Sequence, residues 1–189
     1  MRTAHVDEAG SGLPGGGRLY VVAAVLSSTA DHPAITAALR EHLVNVPVLH
    51  FHTESDSRRT EIAKVIADFP LHGAILVTTP TSHREQEDAR RRLMCELLPR
   101  LYHVEGVRQV VVESRAGSDV HDRKVLNRLR RSHQVPGELR VDHRNKNEPM
   151  LWVADWVASS YIAAIRHAVT EPWELINAAH AVEVTAIKP

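Results

Sequence analysis

A short strand-like segment, Thr3 to Val6, runs straight into two adjacent carboxylates, Asp7 and Glu8, and then into a glycine-rich loop, Gly10 to Gly17. A second apolar run, Arg18 to Leu26, follows the loop. The loop is longer than a tight hairpin but has the same turn chemistry, so the two runs are expected to be joined as a hairpin. It is not a phosphate cradle, because it lacks a Gly-Lys-Ser/Thr ending and lies between two strands rather than before a helix. Folding has no use for adjacent acids at the end of a buried strand. A desolvated carboxylate costs several kcal/mol unless it is paired or binds a metal. Asp7 is therefore read as the first ligand of a divalent-metal site, against the plainer reading in which Asp7 and Glu8 open a polar turn.

The remainder of the chain alternates helical and strand patterns. Residues 28–46 read as a helix, with Pro33 in its first turn and Ile35, Leu39 and Leu43 along one stripe. Pro47 ends it. Val48 to His52 alternates like a strand, and residues 53–57 offer capping groups for a helix over 58–69. Residues 71–79 read as a buried strand stopped by Pro80, and 82–103 as a long amphipathic helix. A third apolar run, 107–112, ends at Glu113; a basic helix over 122–131, a polar strand over 139–143 and a loop over 144–148 follow. Pro149 opens the most apolar helix of the chain, 150–167, and the segment after Pro172 has little pattern. Strands joined by a hairpin together with strands joined through helices predict an α/β fold with a mixed sheet.

A length of 189 residues suits one domain, expected over 1–189, since about 100–200 residues per domain is usual. Lys plus Arg equals Asp plus Glu, 23 each, so net charge does not point to a polyanionic partner; any such partner must be read from local clusters. The single cysteine, Cys95, excludes an internal disulfide and a cysteine-based zinc site, and a reducing, cytoplasmic setting is the natural expectation. No apolar run approaches the roughly 18 residues of a membrane span, and the first residues lack the basic region and apolar core of a secretory signal.

Two further acids share the odd placement of Asp7. Glu113 closes Val110-Val111-Val112, at the C-terminal end of a strand, where open α/β sheets bind ligands. Asp155 has Leu151, Trp152, Ala158 and Ser159 at helical spacing, so it projects from a largely apolar face. The plainer alternative is that Asp155 caps a loop or pairs with an arginine such as Arg115. Three carboxylates from two strand ends and one helix suit Mg²⁺ or Mn²⁺, two ions roughly 3.5–4 Å apart activating a water and stabilising the leaving oxygen in phosphoryl transfer.

Taken together, Asp7-Glu8-Ala9-Gly10, an acid after the central strand, and Met150-Leu-Trp-Val-Ala-Asp155-Trp-Val-Ala158 resemble the bacterial domain-of-unknown-function 3800 (DUF3800) family, whose members typically carry Asp-Glu-Ser-Gly and a late apolar-Ala-Asp segment. The resemblance covers about Val6 to Ile165, with Ala9 where the family more often has serine. It implies a ribonuclease-H-like mixed sheet with antiparallel first strands flanked by helices. It also implies metal-ligand roles for Asp7, Glu113 and Asp155, in an order similar to that of Holliday-junction resolvases.

His50 and His52 fall on one face of the expected 48–52 strand, two residues before Glu54, and could hold zinc with a third ligand such as His5; an edge-strand pair of polar histidines is the plainer reading. The family resemblance makes His50 the better active-site neighbour. The basic residues Arg123, Lys124, Arg128, Arg130 and Arg131, with Arg144 and Lys146 in the loop before the last helix, could contact a nucleic-acid backbone or simply be solvated. Aromatic residues make up only 4% of the chain, which argues against a dedicated single-strand reader.

The sequence thus predicts a nuclease that hydrolyses phosphodiester bonds in DNA or RNA. Mg²⁺ or Mn²⁺ would be held by Asp7, Glu113 and Asp155, and Glu8 and His50 would serve as further ligands or position water. A catalytically silent nucleic-acid- or protein-binding module on the same scaffold is the alternative.

Overall fold

The computed structural model describes residues 1–13, 16–82, 84–115, 117 and 119–188. Among these residues six strands form one mixed sheet in the order β5-β4-β1-β2-β3-β6. The first two, β1 (Arg2–Gly12) and β2 (Arg18–Ser28), pair antiparallel along their whole length. Leu13 closes the turn between them with hydrogen bonds to Gly16 and Gly17, both at positive φ, where a side chain would be strained. Pro14 and Gly15 of the expected loop lie outside the described residues.

β2 pairs antiparallel with β3 (Leu71–Thr81), which extends past Pro80 rather than ending there. Proline is tolerated because β6 (Glu183–Ala186) pairs with β3 only from Ile75 to Thr78, so no ladder hydrogen bond is lost at Pro80 on that side. On the other side of the sheet, β4 (Gln109–Glu113) runs parallel to β1, and β5 (Arg140–Arg144) parallel to β4.

The strand alternation of β1 and β2 sorts their side chains into two cores. On one face Ala9, Val21, Ala23 and Val25 pack with α1 (His32–Glu41), α2 (Asp56–Ala67), α5 (Pro149–His167) and α6 (Glu171–His180). On the other, Ala4, Val6, Val22 and Ala24 pack with α3 (Gln86–His103) and α4 (Asp119–Arg131). α5 is apolar nearly all round because it is enclosed by the sheet, α1 and α6. Pro149 starts it, and Ala168 in the left-handed region ends it.

Three further sequence expectations change. Asp7 and Glu8 lie inside β1 rather than at its end, because the hairpin continues to Gly12. Residues 48–52 are not a strand: Phe51–Thr53 forms a single 3₁₀ turn, so His50 and His52 do not share a strand face. The patternless tail contains α6 and β6. Short elements that bury few residues leave little periodicity to read.

Candidate metal centre

Asp7 gains its position from the register of the sheet. The parallel pairing of β1 with β4 runs from Thr3↔Gln109 to Val6↔Val112 and then stops. Asp7 and Glu113 are the next residues on the two strands, so they stand side by side where β1 leaves β4. Asp155 reaches the same point from α5, the helix packed across β1.

Lys146 is at the middle of the three. Its Nζ lies 2.6 Å from Asp7 Oδ2, 3.5 Å from Glu113 Oε2 and 3.9 Å from Asp155 Oδ1. Its carbonyl accepts a 2.6 Å hydrogen bond from Trp152 Nε1, which ties the β5–α5 loop to the first turns of α5. The sequence pattern places Lys146 with the basic residues of the surface, not with the acids. Nothing in its local sequence distinguishes a lysine that turns inward from one that stays in solvent.

Asp7 is fully buried, and its Oδ1 accepts a 2.8 Å hydrogen bond from the Glu8 backbone N–H. Burial pushes its carboxyl well above the usual carboxylate range, Glu113 adds to the rise, and Lys146 offsets only part of it. For Asp155, burial acts in the same direction but is overcome by His50, Lys146 and the Phe51 N–H, so its carboxyl falls below the usual range. Its Oδ2 accepts from Phe51 N at 3.2 Å, and its Oδ1 from Ser159 Oγ at 3.1 Å. Burial works against the charge on Lys146, but Asp155, Asp7 and Glu113 together raise its ammonium above the ordinary value.

His50 Nδ1 lies 3.6 Å from Asp155 Oδ2, with the ring partly open to solvent. His52 is exposed. His5 shares the β1 face of Asp7 but is buried against His32, ring centroids 5.0 Å apart, rather than beside His50.

Glu8 points to the opposite face of the sheet. Its carboxylate pairs with Arg90 and, at 2.9 Å, with Arg115. Arg90 is itself buried and holds Asp122 through two hydrogen bonds of 3.0 and 2.8 Å, while His143 contacts Asp122 at 3.0 Å. This second charged cluster makes Glu8 a main-chain donor to the centre, with its carboxylate engaged elsewhere.

The residues fit a hard divalent cation in donor type, since all three acids offer carboxylate oxygen and the ammonium stands where positive charge is called for. Among the described residues, no three His, Cys, Asp or Glu groups are arranged to hold a metal directly; the lysine lies between the acids. Arg123, Lys124, Arg128 and Arg131 are exposed on α4. Lys124, Arg128 and Arg131 line a groove of about 450 Å³ with Arg84, with Arg91 of α3 and with the carboxylates Glu87 and Asp88, on the sheet face opposite α5. Arg130 is instead turned to the carbonyls of Gly137 and Leu139.

Comparison with solved structures identifies the architecture. The ribonuclease H2 of Pyrococcus horikoshii OT3 superposes with a TM-score of 0.56 at 14% identity, over 92% of this chain and 76% of that one. The ribonuclease HII of Archaeoglobus fulgidus, in its complex with PCNA, gives 0.54 at 17% identity, over 90% and 79%. The fold is ribonuclease-H-like. No protein-family model and no curated protein sequence matches the chain. Among the described residues no helix is long and apolar enough to cross a membrane.

Proposed function

We propose that residues 1–189 form a single-domain, divalent-metal-dependent nuclease of the ribonuclease-H-like type, with Asp7, Glu113 and Asp155 as the ligands of Mg²⁺ or Mn²⁺. The convergence of three carboxylates at the junction of β1 and β4, on a fold shared with ribonucleases H2, carries this reading. The motif resemblance to the DUF3800 family supports it from the sequence side. Bound metal supplies a water of lowered pKa and neutralises charge on the phosphate.

The chain's own groups orient the site. The Glu8 N–H fixes the Asp7 carboxylate, and the Phe51 N–H and Ser159 hydroxyl fix that of Asp155. His50, beside Asp155 and open to solvent, positions water or passes a proton at its exposed edge. The substrate is nucleic acid; the groove between α3 and α4, on the sheet face opposite the carboxylate centre, adds sequence-independent backbone contacts through Arg84, Arg91, Lys124, Arg128 and Arg131, which outnumber its Glu87 and Asp88.

The test is cleavage of labelled single-stranded, duplex and RNA–DNA hybrid oligonucleotides with millimolar Mn²⁺. The reading predicts cleavage of at least one class by wild type and a loss of at least about 100-fold with Asp7→Asn. A protein that binds these oligonucleotides, cleaves none and binds no metal is instead a silent binding module. The presence of Lys146 between the three acids favours that second reading.

A further inference from the structure

The carboxylate centre contains its own cation, and the way that cation is mounted has a consequence for metal binding. The Lys146 backbone is held: Trp152 Nε1 donates to its carbonyl at 2.6 Å, Asn145 Oδ1 accepts from Asn147 N at 3.0 Å, and the Asn145 carbonyl accepts from Glu148 N at 3.1 Å. Its side chain is a flexible stem ending in a compact charge, and it is partly open to solvent while Asp7 beneath it is fully buried. Arg90, on the opposite sheet face, is mounted differently. Its planar guanidinium is buried and grips Asp122 through two hydrogen bonds, which suits a permanent structural pair.

The distances separate ammonium from metal. Carboxylate oxygens approach Mg²⁺ at about 2.0–2.1 Å, whereas Nζ lies 2.6, 3.5 and 3.9 Å from its three oxygens. A divalent ion drawing the same oxygens inward would meet the ammonium at short range and repel it. We propose that Lys146 is the displaceable counter-ion of this centre: it holds Asp7, Glu113 and Asp155 together without metal and swings out to solvent when a divalent cation binds. The proposal rests on these acids being the metal ligands. It makes the lysine a competitor that lowers metal affinity and keeps the acids assembled between binding events.

Two measurements test this, one on the unaltered protein. Brief acylation of lysines read by mass spectrometry, with and without saturating Mn²⁺, uses exposed Lys64 and Lys124 as internal references. Lys146 is expected to become at least fivefold more reactive with Mn²⁺ while the references stay constant. In calorimetric Mn²⁺ titrations, Lys146→Met and Lys146→Gln are expected to bind at least tenfold more tightly than wild type. Mn²⁺ binding that depends on Glu113 but leaves Lys146 reactivity unchanged, or that is equal or weaker in both variants, overturns the displacement alone. No Mn²⁺ binding by wild type or by either variant removes the metal reading and the proposal with it.

Discussion

Asp7 and Glu8 are neighbours in β1, yet their carboxylates serve opposite faces of the sheet. Asp7 joins Lys146 at 2.6 Å on the α5 side, and Glu8 joins Arg115 at 2.9 Å and Arg90 on the α3–α4 side. Strand alternation makes this unavoidable. The adjacent acids therefore belong to two charged clusters that share one stretch of backbone, and the Glu8 N–H donating to Asp7 links them.

The cluster on the α3–α4 side is structural, which gives a first prediction. Asp122→Ala leaves the buried Arg90 guanidinium without its two-pronged partner, and breaking a buried pair from one side costs about 3–5 kcal/mol. Urea unfolding of the variant is expected to show a loss of that size. A loss below about 1 kcal/mol would mean that Glu8 alone satisfies Arg90.

A second prediction concerns pH. Burial, and secondarily His32, lower the His5 imidazole from 6.5 to about 3. Between those values the unfolded chain binds the proton and the folded chain does not. His5 therefore costs no stability above about pH 6.5, and stability is lost as pH falls toward 3, at about 1.4 kcal/mol per pH unit. The stability difference between wild type and His5→Leu should shift with pH by that slope between pH 6 and 4. A difference that is constant with pH contradicts a buried neutral His5.

A third concerns the groove between α3 and α4. Lys124 and Arg128 are exposed, so Lys124→Glu and Arg128→Glu should leave the fold intact. Each should weaken nucleic-acid binding equally across sequences and reduce the slope of log K against log salt by about 1. An unchanged slope in filter binding would place the nucleic-acid path elsewhere.

Much of this architecture could be read from the residues. The hairpin, the mixed sheet and the long apolar helix followed from runs such as Val21–Val25 and Met150–Ala158, whose burial is extensive enough to impose a pattern. The His50–His52 segment misled because two alternating residues do not distinguish a strand from a 3₁₀ turn flanked by extended backbone. Asp7, Glu113 and Asp155 stood out because each is an acid set among buried apolar neighbours. The opposite orientation of Glu8 followed from alternation once β1 proved to continue through it. The inward turn of Lys146 did not follow from its loop, since it depends on Trp152 and Asp155 of the next helix and on Asp7 and Glu113 from distant strands.

The proposed nuclease chemistry requires the carboxylates to hold a metal ion. A calorimetric Mn²⁺ titration to millimolar concentration, on wild type and on Asp7→Asn/Glu113→Gln, tests it most directly. Saturable binding in wild type that vanishes in the double variant, with far-ultraviolet circular dichroism unchanged, is the predicted result. Binding that persists in the double variant, or a wild type that binds no metal at all, would contradict it.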